Sequence, residues 1–448
     1  MIMKNELIEK ALSTATDTRE FRVGAGIIGE VAELFTGNFQ DATALIVADE
    51  TTWRVCGARV AACFAEAGIP CAKPYIFAAV PPPTATFENM CEVREALTAA
   101  GENVRAVAVG SGTINDLCKR ASEELARPYM CVATAASVDG YASFGAPITK
   151  DGFKKTWPCA APKAILADSD VLIPAPAELA ASGYADLAAK VPSGADWILA
   201  DAVGSDPIRE DVWETTQVPL RGWIANPAGL AKGDADAMNN LFTGLAMTGF
   251  AMQTTHTSRP ASGAEHLYSH YWEMTEVVRK DGSHPSHGDK VGIGAILTTK
   301  LLEMFFSEPF TRDQIPAALA AYPDMESREA FIRATLPEGR VADEAVEASR
   351  EKHLTKEALR ARLEVIADRF DELRERVKAQ LIPTEDFKSL LAQAGCPTEP
   401  SGIGATAHDV LMATFGAQMI RNRYTILDLA YEAGRLPAYA ARLAAEAL

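Results

Sequence analysis

The sequence predicts an N-terminal α/β domain built on a parallel sheet, over about residues 1–170, followed by an all-α C-terminal domain over about 171–448. Three observations predict it. At 448 residues the chain is too long for one typical core, so two domains are expected. In its first third, short β-branched runs alternate with longer helical patterns, the rhythm of strands joined by helical crossovers. After about Asp170 no strand-like run follows, and alanine-rich helical patterns take over.

The elements follow in order. Ala44–Ala48 is a buried strand ending at Asp49, and 52–68 is a helix stopped by glycine. Pro74–Phe77 is a second strand, Pro81-Pro82-Pro83 a loop, and 86–100 a helix. Val104–Val109 is a third strand that runs into Gly110-Ser111-Gly112, with a helical run over 117–126 and a further strand over 129–133. Beyond the boundary, helices are predicted over 177–200, 233–257, 288–306 and 412–448. The highly charged stretch 344–381 reads as a solvated helix pair.

Composition narrows the function. With 48% hydrophobic and 23% charged residues the chain is an ordinary globular protein. A formal net charge of -17 disfavours nucleic acid and anionic membranes as partners, while a few local cations still permit a small anionic substrate. No apolar run approaches the roughly 20 residues that span a bilayer. The first residues, Met1 to Glu6, lack the apolar core of a signal peptide. Eight scattered cysteines without a CxxC pair read as reduced thiols, so a cytoplasmic location is expected.

Two glycine motifs compete as phosphate cradles. Gly24-Ala25-Gly26-Ile27-Ile28-Gly29 fits GxGxxG, with Asp49 about twenty residues on, where a ribose-binding acid would lie. A plain turn and helix start is the favoured reading there, because the preceding strand is short. Gly110-Ser111-Gly112-Thr113-Ile114-Asn115-Asp116 has the better context, directly after a clear strand and before a helix, where backbone N–H groups and the helix dipole favour a pyrophosphate. Thr134 to Ser143, after the next strand, supplies hydroxyls and Asp139 for polar contacts to cofactor and substrate.

Five of the seven histidines fall between His256 and His287. His266 and His270 are four apart and share a helix face. Upstream, Asp186 sits in an alanine-rich helix, and a buried carboxylate is costly unless paired or metal-bound. A simple pair with Lys190, one turn on, is the competing explanation. Asp186, His266 and His287 together make one carboxylate and two imidazoles, a set suited to Zn²⁺ or another divalent first-row metal with a position left open for substrate.

These residues converge on a family. The chain resembles the sn-glycerol-1-phosphate dehydrogenases, within the superfamily of iron-containing alcohol dehydrogenases, glycerol dehydrogenase and dehydroquinate synthase. The resemblance rests on the order and spacing of Gly110 to Asp116, Thr134 to Ser143, Lys155-Thr156, Ala164 to Asp168, Ala175 to Lys190, Ser258 to His266, His287 to Gly294 and Arg421 to Ala430. It implies a dehydroquinate synthase-like fold, Rossmann-like then helical, with the active site between. It implies that Asp49, Gly112, Thr113, Ile114, Asn115, Asp116, Thr134, Ala135, Ala136, Ser137 and Ser143 bind NAD or NADP. Asp139, Asp186 and His270 would contact substrate, Asp186 and His270 would be catalytic, and Asp186, His266 and His287 would hold one divalent metal, zinc ahead of nickel or iron. The chain departs in Ser111, where many superfamily members carry glycine, and in the length of the charged segment 344–381.

The reaction so implied is hydride transfer between NAD(P)H and dihydroxyacetone phosphate, giving sn-glycerol 1-phosphate for phospholipid biosynthesis. Lys155 is the expected phosphate contact, with Lys190 and Arg259 as the other cations near the site blocks. A homo-oligomer is expected. The competing readings are a glycerol or other polyol dehydrogenase on the same scaffold, a carbocycle former like dehydroquinate synthase, and a silent sugar-phosphate or nucleotide sensor.

Overall fold

The computed structural model describes residues 4–150 and 153–447. Two compact units divide the chain, one of Met1–Leu187 with Glu214–Ser258, the other of Ala188–Trp213 with Arg259–Leu448.

The first unit is organised on a six-stranded parallel sheet of β1 (Glu20–Gly24), β2 (Thr43–Asp49), β3 (Tyr75–Phe77), β4 (Val104–Gly110), β5 (Met130–Ala133) and β8 (Ala164–Asp168), in the order β1-β8-β5-β4-β2-β3. Side chains alternate across the pleat, so β2 feeds two cores. Ile46 and Ala48 pack with Leu34, Phe35, Val60 and Phe64 on one face. Leu45 and Val47 pack with Met90, Val93, Leu117 and Cys118 on the other. Helices on both faces are what continuous apolar strands require. The strand order reverses direction at β2, which has β3 on one side and β4 on the other. In open parallel sheets that switch point, at the carboxyl ends of the strands, is where ligands bind. Here those ends carry Asp49 and Gly110.

This unit departs from the sequence reading in its strands and in its boundary. Between β5 and β8 the chain forms an antiparallel hairpin of β6 (Ala146–Lys150) and β7 (Phe153–Trp157). Its amide at Thr149 bonds Ala85 O at 2.8 Å, tying it to the segment before the helix Phe87–Ala99. Furthermore, the long helix Ala235–Thr255 falls in the sheet unit, although it lies well past residue 170. Phe242 and Phe250 of that helix pack on Phe21 of β1, with ring centroids 6.1 and 5.6 Å away. Buried Gln253 completes the attachment by accepting from the amides of Asp17 and Thr18 and donating to Ala142 O at 2.6 Å. An edge strand with an exposed apolar face needs a cover, and a helix distant in sequence supplies it.

The second unit is helical throughout its described residues. The charged stretch 344–381 resolves into three helices, Arg340–Lys352, Lys356–Asp368 and Phe370–Gln380, rather than a pair. Their buried edges are Val346, Leu359, Leu363 and Val377. Thus the stretch is amphipathic and packed, with most of its charges on the outer face. All eight cysteines are free thiols. Among the described residues no helix is long and apolar enough to cross a membrane.

Candidate active site

In the sheet unit, β4 ends at Gly110 and the helix Gly112–Glu124 begins two residues later. A Cβ on Gly110 would sit 2.5 Å from Ile114 Cβ, so only glycine lets the helix fold back this closely on its strand. Ser111 stands at the N-cap without a side-chain capping bond. The first turn, Gly112 to Ile114, therefore presents backbone amides and the positive end of the helix dipole at the switch point.

The other glycine motif is structural. Asp168, at the end of β8, accepts from the amides of Gly26 and Ile28, each at 2.9 Å, and from Asp170 N at 3.0 Å. A protein carboxylate thus occupies the amides that a pyrophosphate would use. Asp49 likewise has a local duty. Its Oδ1 accepts from Thr51 N and Thr52 N at 2.8 Å, which caps the following helix. Among the described residues Oδ2 accepts no hydrogen bond, so the strand-end position still offers an acceptor for a ribose hydroxyl.

The segment Thr134–Ser143 is held from two sides. Lys119, 1% exposed, donates to the carbonyls of Gly140, Ser143 and Gly145 at 2.8, 3.0 and 3.0 Å. Asn115 accepts from Tyr129 Oη at 3.0 Å and donates to Gly140 O at 3.4 Å. Thr134 N bonds Gly110 O, which joins this segment to the strand-to-helix turn after β4. From the other side comes the helix Ala177–Ala188. A Cβ on Gly183 would lie 1.9 Å from Ala136 O, so the helix rests directly on the segment's backbone. Ser182 donates to Ser137 O at 3.2 Å, and Asp139 N donates to Asp186 Oδ2 at 2.9 Å. Asp186 is wholly buried. Thr134, Ala135, Ala136, Ser137 and Ser143 are buried too, while Asp139 is half-buried.

In the helical unit, three of the clustered histidines come together. His266 and His270 lie on the helix Ala264–Met274, and His287 opens the helix His287–Ser307 behind the Ser286 cap. The ring centroids of His266 and His287 are 5.4 Å apart, and His270 is 6.5 Å from each. The buried Glu265 carboxylate meets His266 Nδ1 at 2.8 Å. A proton on Nδ1 bonded to Glu265 leaves the lone pair on Nε2, the tautomer a metal ligand needs. Glu273 has the same part on the other ring, with Oε1 3.4 Å from His287 Nδ1 and 3.3 Å from Lys290, and Oε2 3.8 Å from His270 Nδ1. Neither glutamate was singled out by the sequence, although each lies within three residues of a histidine.

His270 departs from the expectation of a group titrating near neutral pH. The enclosing protein lowers its imidazole to about 4, against the pull of Glu273, so the ring is neutral at pH 7. His256 ends the helix Ala235–Thr255 in a left-handed conformation, and the backbone carbonyl of His284 accepts from Arg279 at 3.3 Å. Neither stands among the three imidazoles.

The loop that delivers His266 is braced by another residue the sequence did not single out. Buried Asp196 accepts from Ala264 N at 2.7 Å and from Ile426 N at 2.6 Å. Arg259 donates to Asp196 O at 2.6 Å, and Arg423 to Ser262 O at 2.8 Å. The blocks Ser258 to His266 and Arg421 to Ala430 are thereby one structural unit. Burial, together with the nearby Glu265, pushes the Asp196 carboxyl up to about 7. Lys155, by contrast, is exposed on β7 with its ammonium 5.6 Å from the Trp157 ring centre, and among the described residues it forms no hydrogen bond or ion pair with the other predicted site residues.

Residues 22–176 match the iron-containing alcohol dehydrogenase family. Glycerol-1-phosphate dehydrogenase [NAD(P)+] of Halalkalibacterium halodurans is 39% identical over 203 residues, 45% of this chain and 51% of that one. The chain thus spans about half the length of the first relatives it matches. Its counterpart in Methanosarcina mazei is 30% identical over 62% of this chain and 75% of its own. Among solved structures, a probable glycerol dehydrogenase from Sinorhizobium meliloti 1021 superposes with a TM-score of 0.59 at 15% identity, covering 95% of this chain and 98% of the other, a likeness of fold. The two-part architecture is that of the iron-containing alcohol dehydrogenases and dehydroquinate synthase. The chain belongs to the glycerol-1-phosphate dehydrogenase family, within the iron-containing alcohol dehydrogenases.

Proposed function

We propose that the protein is an NAD(P)- and metal-dependent dehydrogenase that interconverts dihydroxyacetone phosphate and sn-glycerol 1-phosphate, and that it works in the cytoplasm as a homo-oligomer. The observation that carries this reading is the pairing of His266 with His287, each backed by a carboxylate that fixes its tautomer. The names of the relatives supply the substrate and the dinucleotide.

The donor set fits a divalent cation. Asp186, His266 and His287 each offer one ligand atom, and Asp186 is a wholly buried carboxylate of the kind a metal compensates. Zinc is the first choice among zinc, nickel and iron. When bound, the metal supplies Lewis acidity at the substrate oxygen and the dinucleotide gives or takes the hydride.

The chain's own residues do the rest. Gly112, Thr113 and Ile114 present amides to the pyrophosphate, and Asn115, Asp116, Thr134, Ala135, Ala136, Ser137 and Ser143 line the remainder of the dinucleotide. Asp49 meets the adenosine ribose, where its charge repels a 2′-phosphate and favours NAD over NADP. Asp139 and Asp186 orient the substrate. His270, neutral at pH 7 with Nδ1 toward Glu273, gives or takes the hydroxyl proton at Nε2. Lys155 meets the phosphate. Arg259 is committed to the Asp196 carbonyl and lies 3.8 Å from Asp206, so it braces the site.

Oxidation of NADH and NADPH should be followed with dihydroxyacetone phosphate, dihydroxyacetone and other small ketones, with and without added metals. Turnover on the phosphorylated ketone that chelation abolishes and metal restores is expected. Turnover on dihydroxyacetone alone would transfer the chain to the polyol dehydrogenases, and ligand binding without turnover would make it a sensor. Lys155→Ala should raise the Michaelis constant for dihydroxyacetone phosphate, and an unchanged constant would remove that assignment.

A further inference from the structure

The helical unit contains a polar cavity of about 350 Å³ that the dehydrogenase reading leaves without a role. Arg328, Lys352, Arg362, Gln418 and Tyr431 project to it from five different helices, and none of His266, His270 or His287 lines it. The volume lies at the small end of ligand sites.

Its charges are unequally matched. Arg362 is paired with Glu432 at 2.6 Å, and Lys352 with Asp428 at 2.8 Å. Arg328 is the exception. It is 4% exposed, donates one N–H to the neutral side chain of Gln418, and lies 4.5 Å from the Tyr431 ring centre. Among the described residues no carboxylate comes within ion-pair distance of it. The Tyr431 hydroxyl is also buried and has no hydrogen-bond partner. A buried guanidinium without a counter-ion and a buried phenol without an acceptor are each costly alone. Side by side on one cavity, both are donors waiting for the same kind of group.

We propose that this cavity is a binding site, separate from the catalytic imidazoles, for a small organic oxyanion whose phosphate or carboxylate accepts hydrogen bonds from Arg328 and Tyr431. An inorganic anion alone would leave much of the volume unfilled. The remaining walls include Glu432, Asp206 and the rings of Tyr322 and Tyr424, which suit a short hydroxylated carbon chain. Arg328 supplies a planar fork for the oxyanion, and Lys352 adds positive potential from beside Asp428.

The test is isothermal titration of the full-length protein with inorganic phosphate and, separately, with acetate, at matched ionic strength in chloride. Wild type and His287→Ala should both bind one of the two anions, and the preferred one identifies the headgroup. Arg328→Gln and Tyr431→Phe should each weaken that event about ten- to a hundredfold, the worth of a hydrogen bond to a charged group. Tyr431→Phe removes only an unpartnered hydroxyl, so the variant folds at least as well as wild type and keeps the test decisive if Arg328→Gln is unstable. Unchanged affinity in Tyr431→Phe, no binding of either anion by wild type, or complete loss in His287→Ala would each overturn the proposal.

Discussion

Gly183→Ala probes whether the helix carrying Asp186 and the segment Thr134–Ser143, proposed above to line the dinucleotide, are one rigid piece. In a helix interior, glycine to alanine is stabilising by about 1 kcal/mol when nothing else changes. Here the added Cβ would lie 1.9 Å from Ala136 O and 2.8 Å from its carbonyl carbon, where ordinary contact begins at 3.4 Å. The helix or the segment must therefore retreat by about 1.5 Å, the difference between 3.4 and 1.9 Å, and the obstacle is backbone that cannot rotate away. Overpacking of this kind costs about 1–3 kcal/mol. A retreat of that size also breaks the 2.9 Å bond from Asp139 N to Asp186, worth about 1.5–3 kcal/mol as a bond to a charged group. The net expectation is destabilisation by about 2–5 kcal/mol, opposite in sign to the helix-propensity effect. Urea denaturation followed by circular dichroism measures the stability, and fluorescence titration with NADH measures the segment. A variant as stable as wild type or more so, with unchanged NADH affinity, would refute the close helix-to-segment contact as the organising feature.

Other outcomes follow from the same geometry. His266→Ala and His287→Ala should each lower zinc affinity by at least tenfold in equilibrium dialysis while leaving the helical circular dichroism unchanged, whereas His284→Ala should alter neither. Asp168→Ala, which strips the acceptor from three amides, should cost about 3 kcal/mol in denaturation yet leave NADH affinity near wild type, and a large loss of NADH affinity would return Gly24 to Gly29 to the cofactor site. Asp196→Ala should destabilise by about 3–5 kcal/mol and weaken metal binding with it, because two loops lose one shared anchor. In the metal-free protein His270 stays neutral down to about 4 while the unfolded chain binds a proton near 6.5, so stability should fall as pH drops through that window. His270→Asn should flatten the slope there, by a modest amount since a third of the side chain still meets solvent.

Local signals made much of this legible. The apolar run at β2, the strand-to-glycine junction at Gly110 and the helical spacing of His266 and His270 all depend on neighbours within a few residues, and the structure has them where the sequence indicates. The hairpin β6–β7 escaped because its short strands mix apolar residues with lysines, and its order comes from pairing and from burying Ala146 and Ile148 in the core beside Met90 and Val93. The charged stretch 344–381 read as a solvated helix pair because charges dominate its composition, and only burial reveals the three apolar positions that anchor each of its three helices.

By itself, then, the sequence determined the parallel sheet, the helical second half and the residue types available for metal and cofactor, since periodicity and turn chemistry are properties of adjacent residues. Tertiary structure decided what each polar group is for. Asp168 closes the glycine loop at Gly26; Glu265 and Glu273 meet the imidazoles of His266 and His287; Asp196 ties residue 264 to residue 426; Arg328 is left without a counter-ion. Those roles depend on which groups meet after burial, where an unmatched charge or donor is costly, and no spacing along the chain encodes that meeting.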